Sequence, residues 1–275
     1  MCKRLLQKCL MLGVTKVRVA DGRFVIASDR KRDMEITIAI AQQSKFGFGA
    51  CSDSTEIVPR SLGGVSVALA WAGSGGYKNP NNYQTLLTQK IRSLIQEGLE
   101  DRMVLRAAHD YLYSQHAGKV AVALTLMSVD TATQTILLSR NSNCPVIVKN
   151  QYGTEIYDEN AGLLGVNKKI KHMVYELTLE PGLVMACYSE GIQTAARKSG
   201  YKQVATDLLP IIAKNNPEDA LFIAGSMVEQ ALEWADHKPG DSMTAVVMGI
   251  CDENTRHSFS RTLACYPYPE QAVMK

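Results

Sequence analysis

Near the end of the chain, Gly240-Asp241-Ser242-Met243-Thr244 sets a carboxylate and two hydroxyls at the mouth of an apolar run over residues 245–250. A run that short and that rich in Val and Ile reads as a strand buried on both faces. Residues 182–188 form a second such run, followed by Ser189-Glu190-Gly191 and then a helical pattern. Two buried strands flanked by acidic residues can hold carboxylates close together. Carboxylates in that position need a metal or basic side chains, or one of them must take up a proton.

Composition narrows the partners. The chain has 275 residues, 46% hydrophobic and 21% charged, with a net charge of +3. That is an ordinary globular balance with room for a substantial core. The charge is too small to argue for nucleic acid or an anionic membrane, and no apolar run approaches the roughly 20 residues that cross a bilayer. The lead-in Met1-Cys-Lys-Arg-Leu-Leu-Gln-Lys8 has signal-peptide flavour, but Lys8 interrupts the apolar region such a signal requires. The seven cysteines include no Cys-x-x-Cys pair and mostly sit in apolar segments. Buried thiols of a reducing cytoplasm, with no zinc site, are the expectation.

The elements that must position the carboxylates follow from periodicity. Strands are expected around residues 17–19 and 24–27 with a turn at Asp21-Gly22, then at 35–41 and 65–71. A helix from about Asn81 carries Leu87, Ile91, Leu94 and Ile95 on one face, and a second starts at Asp101 as its cap. Residues 119–157 read as a β-meander, with turns at 130–133 and 150–153. A strand at 173–179 follows, then the buried strand and two or three helices over 191–235. The last of these opens with Asn216 as cap, Pro217 at its first position and Asp219 in its first turn. The expected class is α+β: two mainly antiparallel sheets packed together with helices outside. Residues 1–34 are read as a lead-in and hairpin, 35–251 as one domain and 252–275 as a tail.

This order, with its motifs, resembles the metal-dependent PPM (protein phosphatase 2C-type) serine/threonine phosphatases, in their bacterial SpoIIE-like branch. The resemblance covers roughly residues 35–250. Tyr188-Ser-Glu-Gly-Ile192 is similar to (T/S)-D-G-(V/I), and Gly240-Asp-Ser-Met-Thr244 to D-(D/N)-x-T. Arg140-Asn-Ser-Asn-Cys-Pro145 and Leu163-Leu-Gly165 support the match. The resemblance implies a four-layer α/β/β/α sandwich with a dinuclear Mn²⁺ or Mg²⁺ centre at one end. There a metal-activated water would attack a phosphoserine or phosphothreonine of a regulatory protein. It also implies a phosphoprotein or regulatory-protein partner, with a homodimer left open.

Carried over position by position, Asp241, Glu190 and Asp53 match the metal ligands, with Gly191, Ser242 and Thr244 in support. Glu190 stands where the family has Asp and adds a methylene, and Ser242 stands where Asp or Asn is usual. The larger departure is at Trp71-Ala72, where the family's metal-bridging Asp-Gly is expected. Between Glu56 and Glu97 no acidic residue can replace that Asp, and an indole cannot ligate Mg²⁺ or Mn²⁺. Two readings follow: a phosphatase with an impaired metal site, or a catalytically dead pseudophosphatase retained as a protein-binding module. Gly73-Ser-Gly-Gly76 lacks the spacing of a phosphate loop, and the five histidines show no metal-ligand spacing.

Overall fold

The computed structural model describes residues 34–73 and 82–252, together with the backbone of strands at 17–20, 23–26 and 264–265. The expected turn at Asp21-Gly22, the glycine-rich stretch from Ser74 and most of the tail lie outside the described residues.

The strands are β1 (Val17–Ala20), β2 (Arg23–Ile26), β3 (Met34–Gln43), β4 (Ser54–Pro59), β5 (Gly64–Ala72), β6 (Val122–Asp130) and β7 (Thr135–Asn141). They continue with β8 (Val146–Asn150), β9 (Gly153–Tyr157), β10 (Met173–Thr178), β11 (Val184–Tyr188), β12 (Met243–Asp252) and β13 (Ala264–Cys265). Among the described residues they form two sheets. One has the order β1-β2-β3-β12-β11-β8-β9, with β13 parallel beside β3; the other has the order β10-β7-β6-β5-β4. The helices are α1 (Tyr83–Gln96), α2 (Asp101–His116), α3 (Glu190–Lys198), α4 (Val204–Ala213) and α5 (Ala220–Trp234).

Period-two alternation explains the layering. On β5, Val65, Val67, Leu69 and Trp71 face the space between the sheets, while Ala68 and Ala70 lie under α1 and α2. Alanines there let Leu87, Ile91 and Leu94 of α1 approach the strand closely. The first sheet is covered on its outer face by α3, α4 and α5, which share its core through Ile192, Leu208 and Ile223. The expected four-layer sandwich is the observed fold. Gly249 on β12 has only space for its hydrogen: a Cβ there would lie 2.3 Å from the Pro217 carbonyl. That approach seats the turn leading into α5, which Thr37 fastens by donating to the same carbonyl at 2.7 Å.

Three details differ from the sequence reading. β4 is a strand that weak, half-buried alternation did not reveal. The meander over 119–157 is divided, since β6 and β7 lie in one sheet and β8 and β9 in the other. Asp101 is the first residue of α2, not its cap. Its buried carboxylate takes the Arg60 guanidinium at 2.6 Å, which ties α2 to the end of β4.

Candidate functional site

The two motifs meet where β11 ends and β12 begins. Antiparallel pairing sets Tyr188 opposite Ala245. One step further, the Ser189 amide donates to the Thr244 carbonyl and the Thr244 amide to the Ser189 hydroxyl, both at 2.9 Å. The Thr244 hydroxyl then donates to Asp53 at 2.8 Å, reaching from one sheet to the start of β4 in the other. Ser242 is buried and accepts from both the Ser52 amide (2.9 Å) and the Ser52 hydroxyl (3.0 Å). Cys51 lies 3.5 Å from the Thr244 hydroxyl. Gly191 is what lets α3 close on this cluster: a Cβ there would fall 1.9 Å from the Ser242 carbonyl oxygen.

Asp53, Ser242 and Thr244 are therefore brought together. Asp241 is exposed just before β12, where its carboxylate accepts from the Ser242 amide at 2.8 Å. Its charge reaches Asp53. Glu190 is half-buried as the first residue of α3, and both it and Asp53 act electrostatically on the buried Cys144. Ser189 and Cys51 belong to the cluster but were not singled out in the sequence. Ser189 lies inside the family motif, and Cys51 stands two residues before Asp53, so both had a positional signal.

Burial dominates the electrostatics of Asp53. Although the residue keeps some surface, the surrounding protein pushes its carboxyl up to about 7. The Ser189 and Thr244 hydroxyls pull it down and the Asp241 charge pushes it up, each by less. The Cys51 thiol is raised, first by burial and then by Asp53. A carboxyl that titrates near 7 in the native state and near 4 when unfolded binds more protons folded than unfolded between those values. Its contribution to stability is complete below pH 4 and is lost as pH rises toward 7. We expect the unfolding free energy of the metal-free protein to fall across pH 5–7 with a slope approaching about 1.4 kcal/mol per pH unit. Asp53→Asn should flatten that slope in urea titrations; parallel curves for the two proteins would show that Asp53 is not the group responsible.

Trp71 is 3% exposed and lies in the core between the sheets. The β4–β5 ladder ends where Ser54 pairs with Ala70, and Asp53 and Trp71 are each one residue beyond that last pair. The indole is in the interior of the sandwich, and Ala72 after it is exposed. Among the described residues, no group of three or more His, Cys, Asp or Glu side chains could hold a metal ion. The donors beside Asp53 are neutral hydroxyls and a thiol, not the hard anionic oxygens that Mg²⁺ and Mn²⁺ select.

A cavity of about 240 Å³ opens beside Asp241, with Lys198, Lys238 and Trp234 on its wall. No helix among the described residues is long and apolar enough to cross a membrane.

Comparison with known structures identifies the scaffold. The phosphatase domain of the cell fate determinant SpoIIE from Bacillus subtilis superposes with a TM-score of 0.61 at 15% identity, covering 85% of this chain and 100% of that one. RsbX in complex with magnesium gives 0.55 at 13% identity, over 81% of this chain and 98% of that one. PppA, a regulatory component of the type VI secretion system in Pseudomonas aeruginosa, gives 0.57 at 12% identity, over 78% and 97%. No curated protein matches the chain. Residues 84–250 match the family Stage II sporulation protein E (SpoIIE), more than half of the sequence and both of its motifs. The chain belongs to the SpoIIE family, and its fold is that of PP2C-type phosphatase domains.

Proposed function

We propose that this chain is a pseudophosphatase of its family: a domain that keeps the scaffold and works as a protein-binding module in a regulatory system. The observation that carries the reading is the Trp71 indole, buried between the sheets one step past the Ser54–Ala70 pair that Asp53 adjoins. Its neighbours support it. The Thr244 hydroxyl donates to Asp53, and the Ser242 hydroxyl accepts from the Ser52 amide and hydroxyl. A site built this way conserves the polar cluster as a joint between the two sheets. Its partner would be a phosphoprotein or other regulatory protein, met in the cytoplasm, with residues 35–251 as the binding domain.

A second reading, a phosphatase holding one metal through Asp241, Glu190 and Asp53, draws support from the electrostatic contact between Asp53 and Asp241. Titration calorimetry with Mn²⁺, followed by an assay on a phosphoserine peptide in the same buffer, separates the two. The proposal expects no saturable heat and no turnover above that of Asp241→Ala. Saturable Mn²⁺ binding with turnover that Asp241→Ala abolishes would overturn it in favour of the one-metal enzyme.

The double variant Trp71→Asp, Glu190→Asp is expected to gain Mn²⁺ binding, since it puts a hard oxygen ligand in place of the indole and shortens the Glu190 carboxylate to the family's Asp. Far-ultraviolet circular dichroism should first establish that the variant is folded. A folded double variant that still ignores Mn²⁺ would mean that Trp71 does not stand in the metal position.

A further inference from the structure

Two imidazoles that the Asp53 cluster does not use meet behind α2. His109 on α2 is 2% exposed, and its ring lies edge-on to that of the half-buried His172, with 6.2 Å between centroids. Hydrogen bonds fix where their protons sit. His109 Nδ1 accepts from the Gly165 amide at 3.3 Å, so the neutral ring carries its hydrogen on Nε2, which has no hydrogen-bond partner. Asn141 commits its Nδ2 to the Gly162 and Lys171 carbonyls at 2.9 and 3.3 Å. Its Oδ1 is left to accept, and His172 Nδ1 donates to it at 2.7 Å. Both histidines thus fasten residues 158–172, the connection from β9 to β10.

That connection reaches the end of the sandwich where the two motifs meet. Leu164 bridges to Val122 through two main-chain bonds. A Cβ on Gly73, two residues past Trp71, would lie 2.6 Å from Leu163 Cδ1, so the segment packs on the chain leaving β5. Gly165 itself is wedged in place: at φ +84°, its Cβ would fall 2.7 Å from the Val120 carbonyl oxygen and 3.1 Å from Leu112 of α2. Enclosed in this way, its amide depends on the His109 ring for an acceptor.

We propose that His109 is a pH-operated latch: when its imidazole takes a second proton, it stops accepting from Gly165 and lets residues 158–172 lift from α2 and from the end of β5. The charged ring has a donor on each nitrogen, so Nδ1–H would face the Gly165 N–H and leave two buried donors without an acceptor. The surroundings set the pH at which this happens. Burial is the largest influence and holds both His109 and His172 below the ordinary 6.5. A charge on His109 lowers His172 further. Asp110, exposed on α2 and 3.9 Å from Arg106, favours both charged forms, and the Asn167 main chain favours that of His109. Tyr113 stacks beside the His109 ring at 6.1 Å, and Lys168, Lys169 and Lys171 of the segment are exposed. Because the native rings protonate at lower pH than the freed ones, the latch is closed above about pH 6.5 and weakens as pH falls below it. The sign is opposite to that of Asp53, and the latch stands whether or not the Asp53 cluster is catalytic.

Hydrogen–deuterium exchange of the whole protein at about pH 7.5 and 5.5, corrected for the intrinsic rates, is the test. Protection of the amides in 158–172 is expected to fall about tenfold at the lower pH, while amides of the β11–β12 pair lose none. His109→Gln, neutral at both pH values, should give the segment the same protection at each. The proposal is overturned by a segment whose protection does not fall, by an equal fall in the β11–β12 pair, or by an undiminished fall in His109→Gln. Should that variant fail to fold, nuclear magnetic resonance on the wild-type protein decides: the Gly165 amide should shift with the same midpoint as the His109 ring. A Gly165 amide that stays in place while the ring titrates would overturn the latch.

Discussion

Arg140→Met is expected to lower the unfolding free energy by about 4 kcal/mol. Arg140 is 0% exposed, and the partners its guanidinium finds are main-chain carbonyls. Nη1 donates to Ser142 and Cys144 at 3.2 and 3.1 Å, and Nη2 donates to Glu159. Methionine fills most of the volume of the stem but offers no donor. It would leave three carbonyls to find other partners, of which only Cys144 has one in place, the Ser142 hydroxyl at 3.2 Å. Two loops are at stake: the one carrying the chain from β7 to β8, and the one from Glu159 onward that Asn141 also holds through Gly162 and Lys171. Urea unfolding monitored by circular dichroism measures the loss. A change under 1 kcal/mol would mean that the carbonyls do not depend on Arg140.

Gly191→Ala should cost about 3 kcal/mol, for a different reason. The added methyl meets backbone: the Ser242 carbonyl oxygen at 1.9 Å and its carbon at 2.7 Å, with the Met243 side chain at 3.3 Å. Neither neighbour is the free end of a flexible side chain, so α3 must move away from the start of β12. That movement pulls on the paired Ser189 and Thr244 bonds and so on Asp53. The stability loss should be accompanied by a smaller pH 5–7 slope than in wild type, because a less enclosed Asp53 titrates closer to an ordinary carboxyl. Gly240→Ala, where the nearest atom is the Lys198 ammonium at 3.4 Å, serves as the mild comparison. Equal losses in the two variants would refute the steric argument.

The sequence made some of this legible and not the rest, for physical reasons. The buried face of α1 was visible because Leu87, Ile91, Leu94 and Ile95 repeat at helical spacing. The turns after β6 and β8 were visible because Asp130 and Asn150 accept from amides two and three residues on. Asn216 caps a 3₁₀ turn over Pro217–Asp219, and α5 itself starts only at Ala220; the Asn216 amide donates to the Asp219 carboxylate at 2.9 Å. β4 stayed hidden because an edge strand with only Val58 buried carries little apolar pattern. Asp101 misled because an acidic residue serves a helix start equally well as cap or in the first turn; the deciding partner, Arg60, is 41 positions away. Periodicity also says that a segment is a strand without saying to which sheet it belongs, so the division between β7 and β8 could not be read. In the site, family motifs pointed to Asp53 and Thr244, but their hydrogen bond joins residues 191 positions apart. Only the fold brings them together.

The pairing of β3 with β12 has a consequence for how the chain is made. Gln42 and Thr244 are neighbours in the ladder and 202 positions apart in the sequence. On a ribosome, β3 emerges early and its central partner last, and loop closure over that distance is slow. Strands β4 to β7, each paired with its immediate successor, can assemble with α1 and α2 while synthesis continues, and β10 joins them at β7 later. The other sheet must wait. Until residues 243–252 arrive, β3 and β11 each present an unpaired apolar edge, the kind of surface that recruits chaperones or other chains. The last long strand therefore joins the two halves of its sheet, and its arrival also completes the polar cluster around Asp53.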